Sequence, residues 1–575
     1  MKIDREELVR ATEVGGFEKY KTYARLSGPG WLQSAITLGG GSLAGALFLG
    51  VIGGYSILWV QLFAMILGVV MLCAISYVTL STGRSPFEAM RTEINPVLAW
   101  GWLIATLLAN LVWALPQYSL AYGAVSQNLF PEAFADGGAV SEFMVVIQNL
   151  FPDAFADEGT GSKFLVSGII FLAVTAITLC YGNEGVGIKI YEWVLKGIVA
   201  GIVLCFMGVV LKISTSSEDF NLLSALSGFI PDLSILWKPA EVFLPMLEKI
   251  DQAGVRSFWT EEIVNTQRMR MVAAAATAVG INMTFLLPYS MLSKKWGREH
   301  RGLAMFDLST GMVIPYVLAV SCVVIASAYM FHGKPYDGLL EDKNGQVVLV
   351  ESSAGAKDFN KLLERRKNSS PELASLEISQ PETRLAAMLV PRNTANFAKS
   401  LSALSGDSSF SNIIFGLGVL AMALSTISIL CLISGFVFCE ALGAPHGGGV
   451  HKAGILTGLF GAFWPIFWDG GSKAYLAVVT STFGYILFPI ACLGFFLMMN
   501  SSRLLKEDLP KGGQRVVWNL LLGTSLLITG LAAGHTATTK TLPNSDFPIG
   551  TVGLCVFLAL VVWGHFRMKA KNVPS

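Results

Sequence analysis

Apolar runs of about twenty residues recur along the whole of this 575-residue chain, and no other feature constrains its fold as much. A run of that length matches the roughly 30 Å of hydrocarbon that a spanning helix must cross. It is too long, and lacks the alternation, for a strand of a membrane barrel. The residues are 53% hydrophobic and only 14% charged, too few charges to cover a soluble globule of this size. The fold class expected is therefore an all-α multi-pass membrane protein, with the lipid bilayer as its first partner. A net charge of +1 makes no electrostatic case for nucleic acid. The eight cysteines form no CxxC pair and lie almost all in apolar runs, so they read as packing residues, with neither a zinc site nor a disulfide framework expected. No catalytic or metal-ligand constellation emerges. His300, His332, His446, His451 and His565 fall in loops or at span ends, and His535 closes an apolar run alone. Neither an enzyme nor a cofactor is expected.

Twelve spans are legible, at about 31–52, 55–80, 97–126, 164–181, 188–212, 271–292, 303–330, 410–440, 453–468, 474–500, 516–534 and 547–566. The connections "STGRSPFEAMRTEINP", "SKKWGREHRG" and "SSRLLKEDLPKGGQR" and the tail "HFRMKAKNVPS" are rich in Lys and Arg, and all fall on one side. The opposite short loops, "WDGGSK" and "GHTATTKTLPNSDF", carry one lysine apiece. The positive-inside rule then places a cell-membrane protein with both termini in the cytoplasm. The opening thirty residues mix acids and bases, have no apolar core and are not a cleavable signal. They form a cytoplasmic segment, 1–30.

Two long outer loops remain. In 126–163, "QNLFPEAFAD" at 127–136 returns as "QNLFPDAFAD" at 148–157, a duplication of the kind that exposed loops tolerate. The second, about 332–408, holds "DKNG", a hairpin-turn candidate, and an amphipathic helix candidate in "PETRLAAMLVPRNTANFAKSLSAL". Residues 213–270 read as short helices on the outer membrane surface, with Trp237 and Trp259 as interfacial anchors.

The first span is interrupted at Gly39–Gly41, and the sixth carries Gly280, Asn282, Thr284 and then Pro288. In hydrocarbon, unpaired backbone groups cost several kcal/mol each, so a broken span marks a cavity. Gly41 and Gly45 also make a GxxxG pair, which close helix packing would explain, but packing does not need three glycines in succession. Secondary transporters built from inverted repeats place such breaks at equivalent spans of the two halves. A 5+5 inverted repeat follows: 31–212 holds spans 1–5 and 271–500 holds spans 6–10. Two peripheral spans are appended within 501–575.

At these residues the chain resembles the Nramp family of divalent-metal transporters. "GPGWLQSAITLGGGS" is similar to the family's first span, which leads into an unwound Asp-Pro-Gly-Asn. "STGRSPFEAM" is similar to its Thr-Gly-Lys loop, and "LLPYSMLSKK" stands where it has Met-Pro-His. "LAMFDLSTGM" matches the Phe-Asp start of its seventh span, and "ILFPIACLGFFLMMNSSRLL" the end of its tenth. The resemblance implies the inverted-repeat fold and alternating-access transport of a divalent cation. Its chemistry is not retained. Gly39 stands at the family's Asp, Gly40 at its Pro, Ser42 at its Asn, Leu287 at its Met and Tyr289 at its His. Thr284 replaces a carbonyl-donating Ala. In span 3, Asn110 and Trp113 replace an Asp and a Glu, and the ninth span lacks the family's arginines. Glu192, Lys196, Asp307 and Glu440, the remaining ionisable groups, sit near span ends.

The expected binding site is thus Gly39, Gly40, Gly41, Ser42, Thr284, Leu287, Pro288 and Tyr289, without acidic or sulfur ligands. Asn110, Asn282, Ser425, Thr426, Ser428, Ser481 and Thr482 are candidates to line the same cavity, though serines and threonines in helices also bond back to their own backbone. Three functions fit: a divalent-cation transporter with an atypical site, a carrier of a small neutral or carboxylate-bearing solute held by glycine amides, or a non-transporting receptor or scaffold that uses the outer loops.

Overall fold

The computed structural model describes residues 2–150, 160–179, 186–217, 220–343, 346–402, 407–468, 470–539 and 547–571. Among these, nine helices are long and apolar enough to cross a membrane, and a tenth crossing is a helix pair, Pro29–Thr37 and Gly40–Gly53, bent by 50°. The fifth expected span is the helix Val186–Ser216. The ninth is not one helix but three pieces, Gly449–Leu456, a tight turn Thr457–Phe463 and Trp464–Phe467. Its "GLFGAFWP" explains the segmentation: Gly461 lies hard against the Tyr118 ring, and Pro465 can only start a helix. The fold is an all-helical bundle with a single two-stranded sheet among the described residues. The inner face is hereafter the one carrying both chain ends.

Span 1 breaks because Gly39 is extended, with φ −84° and ψ 178°, and starts a new helix at Gly40. Span 6 breaks at Val279 (φ −142°, ψ 115°) and Gly280 (φ −94°, ψ 161°), between Ala253–Ala278 and Ile281–Ser293. This corrects the emphasis on Pro288, which lies inside the second half-helix. The extended Val279 needs extra width, and span 2 (Leu58–Thr82) supplies it: a Cβ at Gly68 would overlap the Val279 side chain. The outer half of span 1 packs on span 7 (Arg298–Phe331) through Gly50, where a Cβ would meet the Val324 carbonyl at 2.5 Å, and Ser327 Oγ donates to Leu47 O at 2.7 Å.

The two outer segments form a small domain with its own core of Phe243, Trp259, Phe359, Leu362 and Leu385. Trp259 is therefore not an interfacial anchor: it is fully buried there, while Trp237 is exposed. The hairpin falls where "DKNG" places it, as β1 (Leu340–Lys343) paired antiparallel with β2 (Gln346–Leu349), Lys343 opposite Gln346. The amphipathic segment becomes the helix Gln380–Leu389, closed at its start by a Ser379–Glu382 capping box, and the short helix Thr394–Ala398. The first repeat copy, which continues span 3, holds both this domain and span 8: Asn128 Nδ2 donates to Thr394 O of the domain at 3.3 Å and to Asn412 Oδ1 of span 8 at 3.0 Å. Residues 151–157 of the second copy lie outside the described residues, as do the side chains of Glu192 and Lys196.

Candidate functional site

Both breaks open onto one cavity of about 50 Å³. Its wall is built from Ile36, Gly41 and Ser42 of span 1, Ala276, Thr277, Gly280, Asn282 and Met283 of span 6, and Trp113, Pro116 and Gln117 of span 3. Thr426 and Leu430 of span 8 and Ser481 of span 10 close it. The first residues of a helix have amides, and the last residues carbonyls, with no partner in the helix itself. Here the two C-terminal ends, after Thr37 and after Ala278, and the two N-terminal ends, at Gly40 and Ile281, converge on the same small space. One hydroxyl joins them: Ser42 Oγ donates to Thr277 O at 3.1 Å.

The polar groups around this cavity are conspicuously under-bonded for a buried site. Gln117 Oε1, Asn282 Nδ2 and Trp113 Nε1 are buried with no protein partner. Asn282 Oδ1 is used locally, accepting from Met283 N at 2.9 Å. Gln117 Oε1 lies over Gly40, 2.8 Å from where a Cβ would stand, so only glycine lets the amide approach the break. Unpaired buried amides are costly, about 1–3 kcal/mol each, and occur where a ligand or water completes them. Met283 brings a thioether to the same wall, its sulfur accepting from Gly280 N at 3.4 Å. A site without sulfur was expected, and this corrects it: the sulfur lies four residues before Leu287.

The expected residues divide. Gly41, Ser42, Asn282, Thr426 and Ser481 line the cavity. Gly39 and Gly40 back it, Gly39 against the Thr426 hydroxyl. Thr284 does not face it, since its hydroxyl accepts from Trp102 Nε1 at 2.9 Å and donates to Ile281 O at 2.5 Å. Leu287 is packed in the core. Tyr289 lies toward the inner face, stacked on Phe285 and Phe436, with Ser85 at 3.2 Å bridging it to Glu440. Asn110 ties span 3 to span 8 through Ser434 Oγ at 3.2 Å. Ser428 and Thr482 bond back to Leu424 O and Val478 O, and Ser425 is outside the lining. Asp307 does more than sit at a span end: buried, it accepts from Gly30 N at 2.7 Å and caps the inner start of span 1. Sequence reasoning missed Gln117, Met283 and Thr277 as wall residues. No group of three or more His, Cys, Asp or Glu side chains suited to a metal occurs among the described residues.

Broken first and sixth spans facing one cavity define a membrane protein of the Nramp-type inverted-repeat fold, and comparison with solved structures gives the same answer. A mutant of the Eremococcus coleocola manganese transporter matches with a TM-score of 0.61 over 97% of both chains, at 13% identity. The same transporter in complex with an aromatic bis-isothiourea substituted compound matches with a TM-score of 0.59 over 97% of both chains, at 14% identity. At such identities the likeness is one of fold. No protein-family profile matches the chain, and no curated protein matches it in sequence.

Proposed function

We propose that the chain is a secondary transporter, its termini cytoplasmic, that carries a divalent metal cation still holding part of its hydration shell. The observation that carries this reading is the convergence of both helix breaks on one small cavity whose side-chain donors are neutral. The cavity is bordered by two half-helix C-termini and two N-termini, whose partial charges nearly offset, so it is the carbonyl and side-chain oxygens within reach of the cavity, and not a net field, that support a cation. Amide, hydroxyl and carbonyl oxygens suit a hard cation that keeps waters, and Met283 adds a soft donor. A space of about 50 Å³ admits a partly hydrated ion and is far below the roughly 300 Å³ at which pockets for organic ligands begin. This argues against the carrier of a carboxylate-bearing solute. The solved structures of the same fold bear the name of a manganese transporter, which supports the reading by analogy of fold.

The test is uptake of manganese and magnesium into proteoliposomes containing an ion-sensitive dye, with calorimetry on the detergent-purified protein. Uptake of either ion that Gln117→Leu abolishes supports the proposal. Flat titrations with both ions, and leak-level uptake by the unaltered protein, overturn it.

A further inference from the structure

Three arginines are among the largest fully buried side chains: Arg270, Arg366 and Arg392. Arg366 is neutralised in the usual way, by an ion pair to buried Glu382 at 2.8 Å. Arg270 and Arg392 make no ion pair with any described carboxylate. Both instead face the end of the helix Gln380–Leu389. Arg270 Nη2 donates to Leu389 O at 3.3 Å, while Arg392 Nη1 donates to Val390 O at 2.6 Å and Met388 O at 3.3 Å. Arg392 Nη2 is occupied by Lys334 O at 2.5 Å.

A helix C-terminus offers about half a negative charge, against two full positive charges. The imbalance is felt: burial, then the Arg270 charge, outweigh the opposing Asp337 carboxylate and Tyr336 hydroxyl and bring the Arg392 guanidinium down to about 10. Arg270 Nε and Nη1 are buried and neither makes a well-aligned hydrogen bond, the Tyr475 hydroxyl being the polar side-chain group beside the guanidinium. The guanidinium lies 5.6 Å from the Phe48 ring centre and 5.7 Å from that of Tyr475, and the Tyr475 hydroxyl stands beside it. Ring faces relieve part of a buried positive charge, but an unpaired charge-bearing N–H away from water remains expensive.

We infer that Arg270, with Arg392 behind it, forms a binding site for a small monovalent inorganic anion of the chloride class, where the outer domain meets the outer ends of spans 1, 6 and 10. Nε–H and Nη1–H leave the guanidinium on opposite sides and are not the parallel pair that grips a carboxylate, so a small spherical anion seated on Nε–H fits where a planar, bidentate one does not. Phe48 belongs to the outer half of broken span 1, Arg270 to the outer half of broken span 6, and Tyr475 precedes span 10. The anion therefore pins the outer domain to both halves that border the central cavity, whatever that cavity carries.

The test uses the intact purified protein at constant ionic strength, titrating sodium chloride against sodium gluconate and following thermal unfolding. A saturable rise in Tm with chloride and bromide but not gluconate, lost in Arg270→Gln, is expected. Because Arg270→Gln can destabilise the fold by itself, bromide is also located by anomalous diffraction in the unaltered protein. A peak beside Arg270 Nε supports the site. Superimposable chloride and gluconate curves, or bromide peaks only elsewhere, overturn it.

Discussion

Ser42 and Thr277 are separated by 235 residues, yet the Ser42 hydroxyl donates to the Thr277 carbonyl at 3.1 Å and so fastens the first broken helix to the second. That carbonyl lies in the last turn of its half-helix, where it has no partner of its own. Ser42→Ala removes the donor without adding bulk. A loss of about 1 kcal/mol in stability, read as a lower Tm, is expected. A larger loss of ion uptake is expected with it, because the hydroxyl is also part of the cavity wall. Uptake that falls only in proportion to the amount of folded protein would mean that Ser42 is a structural cap and no more.

Gln117→Leu separates binding from stability in the opposite sense. In the unliganded protein the Gln117 carbonyl oxygen is buried without a partner, so an apolar side chain of similar volume relieves a cost of about 1–3 kcal/mol. The variant is expected to unfold at the same or a higher temperature while manganese and magnesium affinity fall at least about tenfold, one charge-assisted contact being worth about 1.5 kcal/mol or more. Calorimetry and thermal unfolding on the same preparation check both halves. A stable variant with unchanged affinity would remove Gln117 from the site.

How far the sequence reveals this site depends on what each residue's signal was. Three consecutive glycines have no packing explanation, and the first break falls at Gly39. The second break falls at Val279–Gly280, where a single glycine follows a valine that looks like any apolar helix residue, and only the contact with Gly68 accounts for its extended backbone. Proline is conspicuous in an apolar run, and a site read from Pro288 falls on Leu287 and Tyr289, four and six residues beyond Met283. Met283 is one more apolar residue in "INMTFLLP" and carries no local mark of its own. Gln117 sits inside a long apolar run beside Pro116, and nothing local marks an amide that acquires meaning only by lying across Gly40. The outer domain was legible in its turn and its amphipathic helix but not in its core, since Trp259 becomes buried through contacts more than a hundred residues distant.

Restoring an acidic ligand at the first break is not a simple substitution. A Cβ at Gly39 would overlap Thr426 Oγ1 and come within 2.8 Å of the Ile36 carbonyl, so even Gly39→Ala forces backbone to move. Overpacking of this kind costs about 1–3 kcal/mol. Gly39→Asp is therefore expected to lower Tm sharply, and adding Thr426→Ala to recover part of it. Leu287→Met, by contrast, is a volume-conserving change within the core and should shift Tm little and metal affinity not at all. A gain of manganese binding from Leu287→Met alone would show that the cavity extends to that turn.

The outer domain carries a pH dependence of its own, through Glu382. Burial pushes its carboxyl up, but the Ser379 amide, the Trp259 indole and the Arg366 guanidinium together outweigh burial and hold it below the ordinary glutamate value. All three contacts are direct, at 2.9, 3.0 and 2.8 Å. A folded-state value below the unfolded one means that the unfolded chain binds the proton more readily, so the stabilisation is fully present above the unfolded value of about 4.3 and is lost as pH falls through the lower folded value. The domain should hold at neutral pH and loosen below about pH 4, seen as faster proteolysis in 332–408. Glu382→Gln leaves Arg366 charged and buried without a counter-ion and is expected to cost about 3–5 kcal/mol at pH 7, whereas Arg366→Met with Glu382→Leu removes both charges and should cost far less. If the single and double variants are equally destabilised, the ion pair is not what organises this core. The loss they share would then belong to the Trp259 and Ser379 contacts, which both variants weaken.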